Sequence, residues 1–490
     1  MNSLFWRIGV AALFAFCFAL SVLRARGERR ERILSAANQP RYSPDIVGFL
    51  LPFFLLLLIP LLFLLTDFET AKHELIALTS QLFAHICLYY LLLLPALPWL
   101  RRHFSARACA LLWLLPNYLY FTQQPLFQLS HPQWVIPVPG APVQILFVIW
   151  LIGFFVVFLW KIVDHLVFRR RILKDSYPIT APAVMNVWRQ ALEDARVKDV
   201  SFQLVSSPQV SAPLSIGLFR SAIRVVLPRN AQYTPDELTL IFRHELVHIE
   251  RRDSWTNFFL MFCTAICWFN PLMWIAMSKS AEDLELNCDE MVLLHENETV
   301  RQQYAHLLLD TAGSSRGFTT CLAASANAMR HRLKSIVRPA ERSSGALLVG
   351  IVFFLLFISC GHVALAYGGE SGEEIICAGS AEDCRFTQDV TLKIGEQYTT
   401  YSDIDDDPIL EYLASLKLYR IAGNYSFSVR HNSLSTWISA PDSGGLVDIM
   451  DDTLFFYRIE NRRPVAAYYH IAGGVDWDKL QQLVHDASRG

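Results

Sequence analysis

Three side chains within one five-residue run could do chemistry together: His244, Glu245 and His248 of HELVH. Histidines four apart lie on one face of an α-helix, so both imidazoles can reach the same ion. Two such nitrogens make half of a tetrahedral Zn²⁺ site. Glu245 stands beside them and can take a proton from a water that the ion polarises, which is hydrolytic chemistry. A catalytic zinc needs a third protein ligand. The acidic run 281–290, AEDLELNCDE, offers Glu285 and Asp289, again four apart. Glu285 would complete a set of two histidines and a carboxylate. Asp289 would accept a hydrogen bond from a ligand histidine and hold it from behind. A solvated helix face is the ordinary reading of Glu282, Asp283 and Glu290, and of Glu285 taken alone.

These groups need rigid supports. Thr234, Pro235 and Glu237 form a capping box that should start the helix carrying HELVH. The preceding stretch predicts a short helix over 184–195, strands over 201–205 and 222–227, and an edge strand or loop over 211–219. Tyr304 and His306 lie near enough in sequence to be weighed as groups stabilising an oxyanion.

Apolar residues make up 53% of the 490-residue chain, too many for an ordinary soluble surface. Six stretches reach or approach membrane-spanning length: 4–23, 46–66, 75–97, 106–121, 143–166 and 346–367. Basic clusters follow the first (Arg24, Arg26, Arg29, Arg30, Arg32), the third (Arg101, Arg102, Arg107) and the fifth (Arg169, Arg170, Arg171). With six passes every cluster falls on the cytoplasmic side. The expected layout is then a membrane domain over 1–167, a cytoplasmic domain over 168–345, a spanning helix over 346–367 and an external domain over 368–490. A further apolar stretch, 255–277, is broken by Asn270-Pro271. Crossing there would put HELVH and Glu285 on opposite sides of the membrane, so a hairpin that does not cross is expected.

The net charge of −2 gives no sign of direct nucleic-acid binding. The external part is acidic, ordinarily just a solvated surface. Its Cys377 and Cys384 are close in sequence, and a disulfide between them would suit an oxidising compartment; two free thiols is the alternative. Helices are expected there over 409–416 and 477–486, strands over 425–429, 436–439 and 453–459, and turns at Pro441-Asp442 and Gly444-Gly445.

HELVHIERRD, the Phe269-Asn270-Pro271 turn, ELNCDE, Tyr304-Ala305 and the MRHRLKSIV run from Met329 together resemble the BlaR/MecR-type antirepressor membrane metalloproteases, over roughly 176–337. The resemblance implies a multi-pass α-helical membrane protein of the bacterial cytoplasmic membrane with an α+β gluzincin-like zinc protease domain and a small α+β external domain. It implies one catalytic Zn²⁺ held by His244, His248 and Glu285, with Glu245 catalytic and Asp289 supporting. It further implies an external inducer and a protein substrate: a winged-helix transcriptional repressor, or the receptor itself, for which the 313–317 loop is a candidate cleavage site. The penicillin-binding SxxK and KTG motifs of the beta-lactam receptors are missing from 368–490. The inducer is therefore not legible; membrane lipid is a necessary partner and a homodimer is open. Two other readings stand beside this one. A membrane quality-control protease similar to HtpX and the CAAX-processing enzymes shares HExxH and a later ExxxD. A proteolytically inactive receptor would signal by conformation alone.

Overall fold

The computed structural model describes residues 2–34, 50–66, 68–116, 118, 119, 129, 131–195, 202–293, 296–311, 326–338, 342–377, 379, 383–423, 425, 427–440, 443–460 and 463–488. The chain opens with α1 (Asn2–Leu34), α2 (Leu50–Leu65), α3 (Phe68–His103) and the short α4 (Ala106–Leu112). Strand β1 (Trp134–Pro139) leads into α5 (Gly140–Leu173). Next come β2 (Tyr177–Pro178), α6 (Pro182–Asp194), β3 (Gln203–Ser207), β4 (Leu214–Ile216), β5 (Arg224–Pro228) and α7 (Pro235–Arg251). Four helices follow: α8 (Asp253–Ile266), α9 (Pro271–Val292), α10 (Glu298–Thr311) and α11 (Ala326–Val337). After α12 (Ala346–Ser359) come β6 (Val363–Ser371), α13 (Gly372–Ile376), β7 (Arg385–Phe386), β8 (Val390–Ile394) and β9 (Gln397–Tyr401). The chain closes with α14 (Asp407–Ser415), β10 (Lys417–Ala422), β11 (Ser433–Ala440), β12 (Ser443–Met450), β13 (Thr453–Glu460), β14 (Arg463–Ile471) and α15 (Trp477–Ala487).

Two helical stretches among the described residues, Thr70–His103 and Gly140–Leu173, are long and apolar enough to cross a membrane; Phe5–Leu20, Leu56–Leu65 and Ala346–Ser359 are shorter apolar helices. Along α5, Ile145, Leu146, Val148, Ile152, Val156 and Leu159 are exposed. So wide an apolar face calls for a non-aqueous neighbour.

Two of the six expected spans differ from a continuous helix. The stretch 106–121 is helical only over Ala106–Leu112; Trp113 ends the helix ahead of Pro116, and the described residues beyond are short turns. Even so, Ser105 bonds to Ser343 and Ser344 at the foot of α12, while Gln133 and Trp134 bond to His362 just past its head. Among its described residues the stretch is not one helix. The span expected over 346–367 is helical only to Ser359, and residues from Val363 onward are strand. That early end is tolerable because side chains take up the freed carbonyls. Arg7 donates to Phe357 and Cys360, His85 meets Ser359 and Tyr425 donates to Gly361.

The ten-stranded sheet begins before the boundary expected at residue 368. Its strand order is β1-β6-β10-β14-β13-β12-β11-β8-β9, with β7 on β11, so β1 and most of β6 belong to it. Helices α14 and α15 cover one face, burying Ile409, Leu413, Leu480 and Val484 against Leu434, Val447, Leu454 and Phe456. The turn expected at Gly444-Gly445 is instead strand, within β12. Residues 425 and 427–429 form no strand; Tyr425 is buried and hydrogen-bonded instead. Pro441-Asp442 and the 313–317 loop lie outside the described residues. Cys377 and Cys384 do meet, fully buried in the same core and in hydrogen-bonding contact, as free cysteines in this structure.

The apolar stretch 255–277 forms a hairpin. Helix α8 runs out and α9 returns, with Asn270 capping α9 and Pro271 at its first position. At the tip, the Trp150 indole donates to Ile266 O at 2.8 Å and the Trp268 indole donates to Trp150 O at 3.3 Å. Gly153 makes room for this: a Cβ there would sit 2.3 Å from the Trp268 ring. Gly153→Val should therefore cost about 1–3 kcal/mol by overpacking, read as a lowered midpoint of thermal unfolding in detergent. An unchanged midpoint would mean that the hairpin tip does not dock on α5.

Candidate metal centre

The capping box is present: Thr234 and Glu237 exchange side-chain and backbone bonds at the start of α7. Leu238, Ile241, Phe242 and Leu246 bury one side of the helix against Trp188, Leu204, Val225 and Leu227. That packing fixes the rotation of α7 and turns His244 and His248 toward α9. Arg252 then takes a left-handed conformation, φ 57°, and ends the helix, so that Asp253 falls beneath His248.

His244 Nε2 and His248 Nε2 stand 3.0 Å apart. Glu285 of α9 brings Oε2 to 3.5 Å from the first and Oε1 to 3.7 Å from the second. The far side of each ring is also engaged. His248 Nδ1 lies 2.6 Å from Asp253 Oδ2. His244 Nδ1 lies 2.7 Å from the Tyr304 hydroxyl, which itself donates to Asp289 Oδ1 at 2.8 Å. With its own proton given to Asp289, the Tyr304 oxygen must accept from His244 Nδ1–H. Asp253 as a carboxylate likewise takes the proton of His248 Nδ1; burial pushes its carboxyl up to about 7, with Arg251 opposing. The two Nε2 atoms therefore face each other across a gap that either a cation or a shared proton can fill; burial opposes charge on His244, but Cys288 and Glu285 hold its imidazolium well above the ordinary histidine range, so a proton bridges the rings when no ion does. A tetrahedral ion with bonds of roughly 2.0–2.1 Å spaces its ligands roughly 3.3 Å apart, close to the distances seen here. The residues fit a divalent metal.

Cys288 lies in the same cluster, and His244, His248 and Cys288 could also be grouped around an ion. The thiol sits on the Nδ1 side of His244, 3.3 Å away, and donates to the His244 carbonyl. Burial pushes it up to about 11, so it is a neutral thiol at physiological pH. Glu285 differs. Burial works against its charge, but Arg332 and then His248 hold its carboxyl below the ordinary carboxylate range. The ionised group that faces both Nε2 atoms is Glu285, and it is the better third ligand.

Glu245 is buried at the floor of the site. The Ser215 side chain and backbone on β4 bond to it, while its Oε2 has no hydrogen-bond partner. Burial raises the carboxyl above its ordinary value. Strand β4 is the edge of the four-stranded sheet β2-β3-β5-β4, so the expected edge strand is present and lies beside Glu245.

Several expectations change here. Asp289 does not touch a ligand histidine as expected; it is 3.9 Å from His244 Nδ1 and acts through Tyr304. Tyr304 is buried behind the site and His306 is exposed, so neither is placed to meet an oxyanion. Glu282, Asp283 and Glu290 are not a solvated face: they pair with Arg101, Arg101 with Trp113, and Arg342. Sequence reasoning missed Arg332 of α11, whose Nε and Nη2 grip both oxygens of Asp289 at 2.8 Å while Nη1 reaches Glu285 Oε2 at 3.1 Å. No spacing rule links it to α9. Asp253 was also missed, although the charged run after HELVH was the available signal. Asp253→Asn and Arg332→Gln should each weaken metal affinity about 10–100-fold, measured by competition with a chromogenic chelator. Unchanged affinity in both would show that these partners do not orient the ligands.

Comparisons with known proteins cover the segment that holds these residues. Residues 131–337 match the family described as BlaR1 peptidase M56. The chain is 24% identical over 260 residues to the regulatory protein BlaR1 of Bacillus licheniformis, covering 52% of this chain and 42% of that one. It is 32% identical over 99 residues to the methicillin resistance mecR1 protein of Staphylococcus aureus, covering 19% of this chain and 17% of that one. The chain thus spans less than half the length of these curated relatives. The matched segment contains α7 and α9 together with the residues gathered around His244 and His248, and over that segment the chain is similar to the BlaR/MecR-type M56 peptidases.

Proposed function

We propose that the protein is a membrane-embedded zinc endopeptidase and signal transducer. A signal received by the external domain would lead to cleavage of a cytoplasmic protein, either a winged-helix repressor or the chain itself. The observation that carries the peptidase reading is the pair of imidazole Nε2 atoms held 3.0 Å apart beside Glu285. His244, His248 and Glu285 would hold Zn²⁺, in a gluzincin-like arrangement, and the remaining position would be open. When bound, the ion polarises a carbonyl and lowers the pKa of water. Glu245 serves as general base. Its free Oε2 is the atom that receives the proton, and its burial-raised carboxyl moves it toward the working pH. The same carboxyl then delivers the proton to the leaving amine. The substrate would lie extended along β4, adding a strand to that edge and presenting its carbonyl beside Glu245.

The six passes, the cytoplasmic placing of α6 to α11 and the external placing of the ten-stranded sheet belong to the same proposal. The basic clusters after the first, third and fifth apolar stretches support that orientation. It puts Cys377 and Cys384 in an oxidising space, where thiols already in contact should join. Thiol titration of the unfolded protein should then find two fewer thiols without reductant than with it, and equal counts would count against an external location.

Glu245→Gln separates the peptidase from a receptor that signals by conformation. It should lower cleavage by about three orders of magnitude or more while metal content stays at that of wild type. Proteomics of wild type against this variant would identify the substrate. Signalling that survives Glu245→Gln undiminished would mean that proteolysis is not the output, and accumulation of many misfolded membrane proteins would favour the quality-control reading.

A further inference from the structure

Glu285 belongs to a helix gripped on its opposite side by the membrane domain. Residues two apart on a helix are roughly 200° apart around its axis, so Asp283 faces away from the metal centre. It is fully buried, with both oxygens occupied: Arg101 Nε donates to Oδ1 at 2.7 Å and the Trp113 indole donates to Oδ2 at 2.9 Å. Arg101 also reaches Glu282 Oε2 at 3.1 Å and the Lys279 carbonyl at 3.2 Å. One guanidinium therefore spans a full turn of α9 just before the ligand. Trp113 is itself held by α3, since the Tyr90 hydroxyl donates to its carbonyl at 2.9 Å and the two rings stack at 5.7 Å. Two turns beyond Asp283, Glu290 binds Arg342 at 2.8 Å, at the foot of α12.

Arg101 ends α3, and the beginning of α3 is bound into the other end of the molecule. His73 meets the Tyr367 hydroxyl of β6 at 2.5 Å, and Gln81 donates to Tyr425 at 3.3 Å. Ile76 and Ala77 bury against Tyr367 and Ala422. One continuous helix of 36 residues, roughly 54 Å long, thus has the ten-stranded sheet at one end and the carboxylate seat of α9 at the other. The covalent links from that sheet run through α12 and from β1 into α5, yet the ion pair to Asp283, two residues before Glu285, is made by α3.

We propose that Asp283 and Arg101 are positioning residues for the metal centre, and that α3 mechanically couples the external sheet to Glu285. A shift or rotation of α3 pulls on Arg101, and because Asp283 has no other cation within reach among the described residues, α9 must follow. A buried carboxylate stripped of its guanidinium is costly, so the pair moves as a unit and does not simply part. This proposal rests on the metallopeptidase and external-sensor reading above and names the route of regulation within it.

The test uses the full chain in lipid nanodiscs loaded with Co²⁺, whose visible absorption reports the ligand field, and follows metal release to a chelator. Asp283→Asn should speed release about tenfold and shift the Co²⁺ bands, because Glu285 loses its seat, while Arg101→Lys should recover most of the native behaviour. Tyr367→Phe removes the hydroxyl at the far end of α3. Its effect on release should be about fivefold with Arg101 in place and should vanish in an Arg101→Gln background. A merely structural role predicts simple additivity of the two changes. A chain that takes up no Co²⁺ at all sinks the peptidase reading and this proposal with it. A chain that binds Co²⁺ tightly, with identical spectra and release in every variant or with strictly additive effects, sinks this proposal alone.

Discussion

Two imidazole nitrogens facing each other at 3.0 Å are the constraint on which the rest of the structure depends. Each ring is prevented from turning by a partner on its far nitrogen, Asp253 for His248 and Tyr304 for His244. Those partners are fixed in turn: Arg251 holds Asp253, while Asp289 and Arg332 hold Tyr304 and Glu285. The charges alternate outward from the centre, so no buried charge is left without an opposite neighbour. Five elements must converge for this to exist: α7, the first residue of α8, α9, α10 and α11.

That requirement explains the hairpin. His248 and Glu285 are separated by an apolar stretch long enough to cross a membrane, yet they come within 3.7 Å of each other. The chain resolves the conflict by turning at Asn270-Pro271 and packing both arms against α5 and α3. The interior is apolar and aromatic, with Phe259, Phe262 and Met273 buried, so the hairpin folds back against the helical region. The acidic face of α9 has a related origin. Carboxylates so close to apolar helices need cations, and Arg101 and Arg342 supply them from α3 and from the residues before α12.

Much of the chemistry was legible in the linear chain because it follows short-range rules. The i,i+4 spacing of His244 and His248, the capping box at Thr234 and the proline break at Asn270-Pro271 are all properties of a few consecutive residues, and each appears in the structure where the spacing put it. Length and hydropathy likewise marked the stretches that became α3 and α5. The same rules misread 106–121 and 346–367 as full helices, because apolar content does not report which carbonyls Arg7, His85 and Tyr425 will capture from distant positions. They placed a turn at Gly444-Gly445, where strand pairing to Ile438 and Ser439 overrides the conformational freedom of glycine.

What the sequence determined by itself, then, was the pair of histidines, the neighbouring glutamate and the need for a third ligand across an apolar divide. Only the tertiary structure decided how that ligand is held, that Asp289 works through Tyr304, and that Asp253 and Arg332 complete the surroundings. It also decided that Asp283 and Glu290, which look like a wetted surface in one dimension, are buried against Arg101, Trp113 and Arg342. The physical reason is the range of the interactions. Helix spacing and capping act over three or four residues, whereas an ion pair depends on which helices pack together, and a single chain read in order does not contain that information.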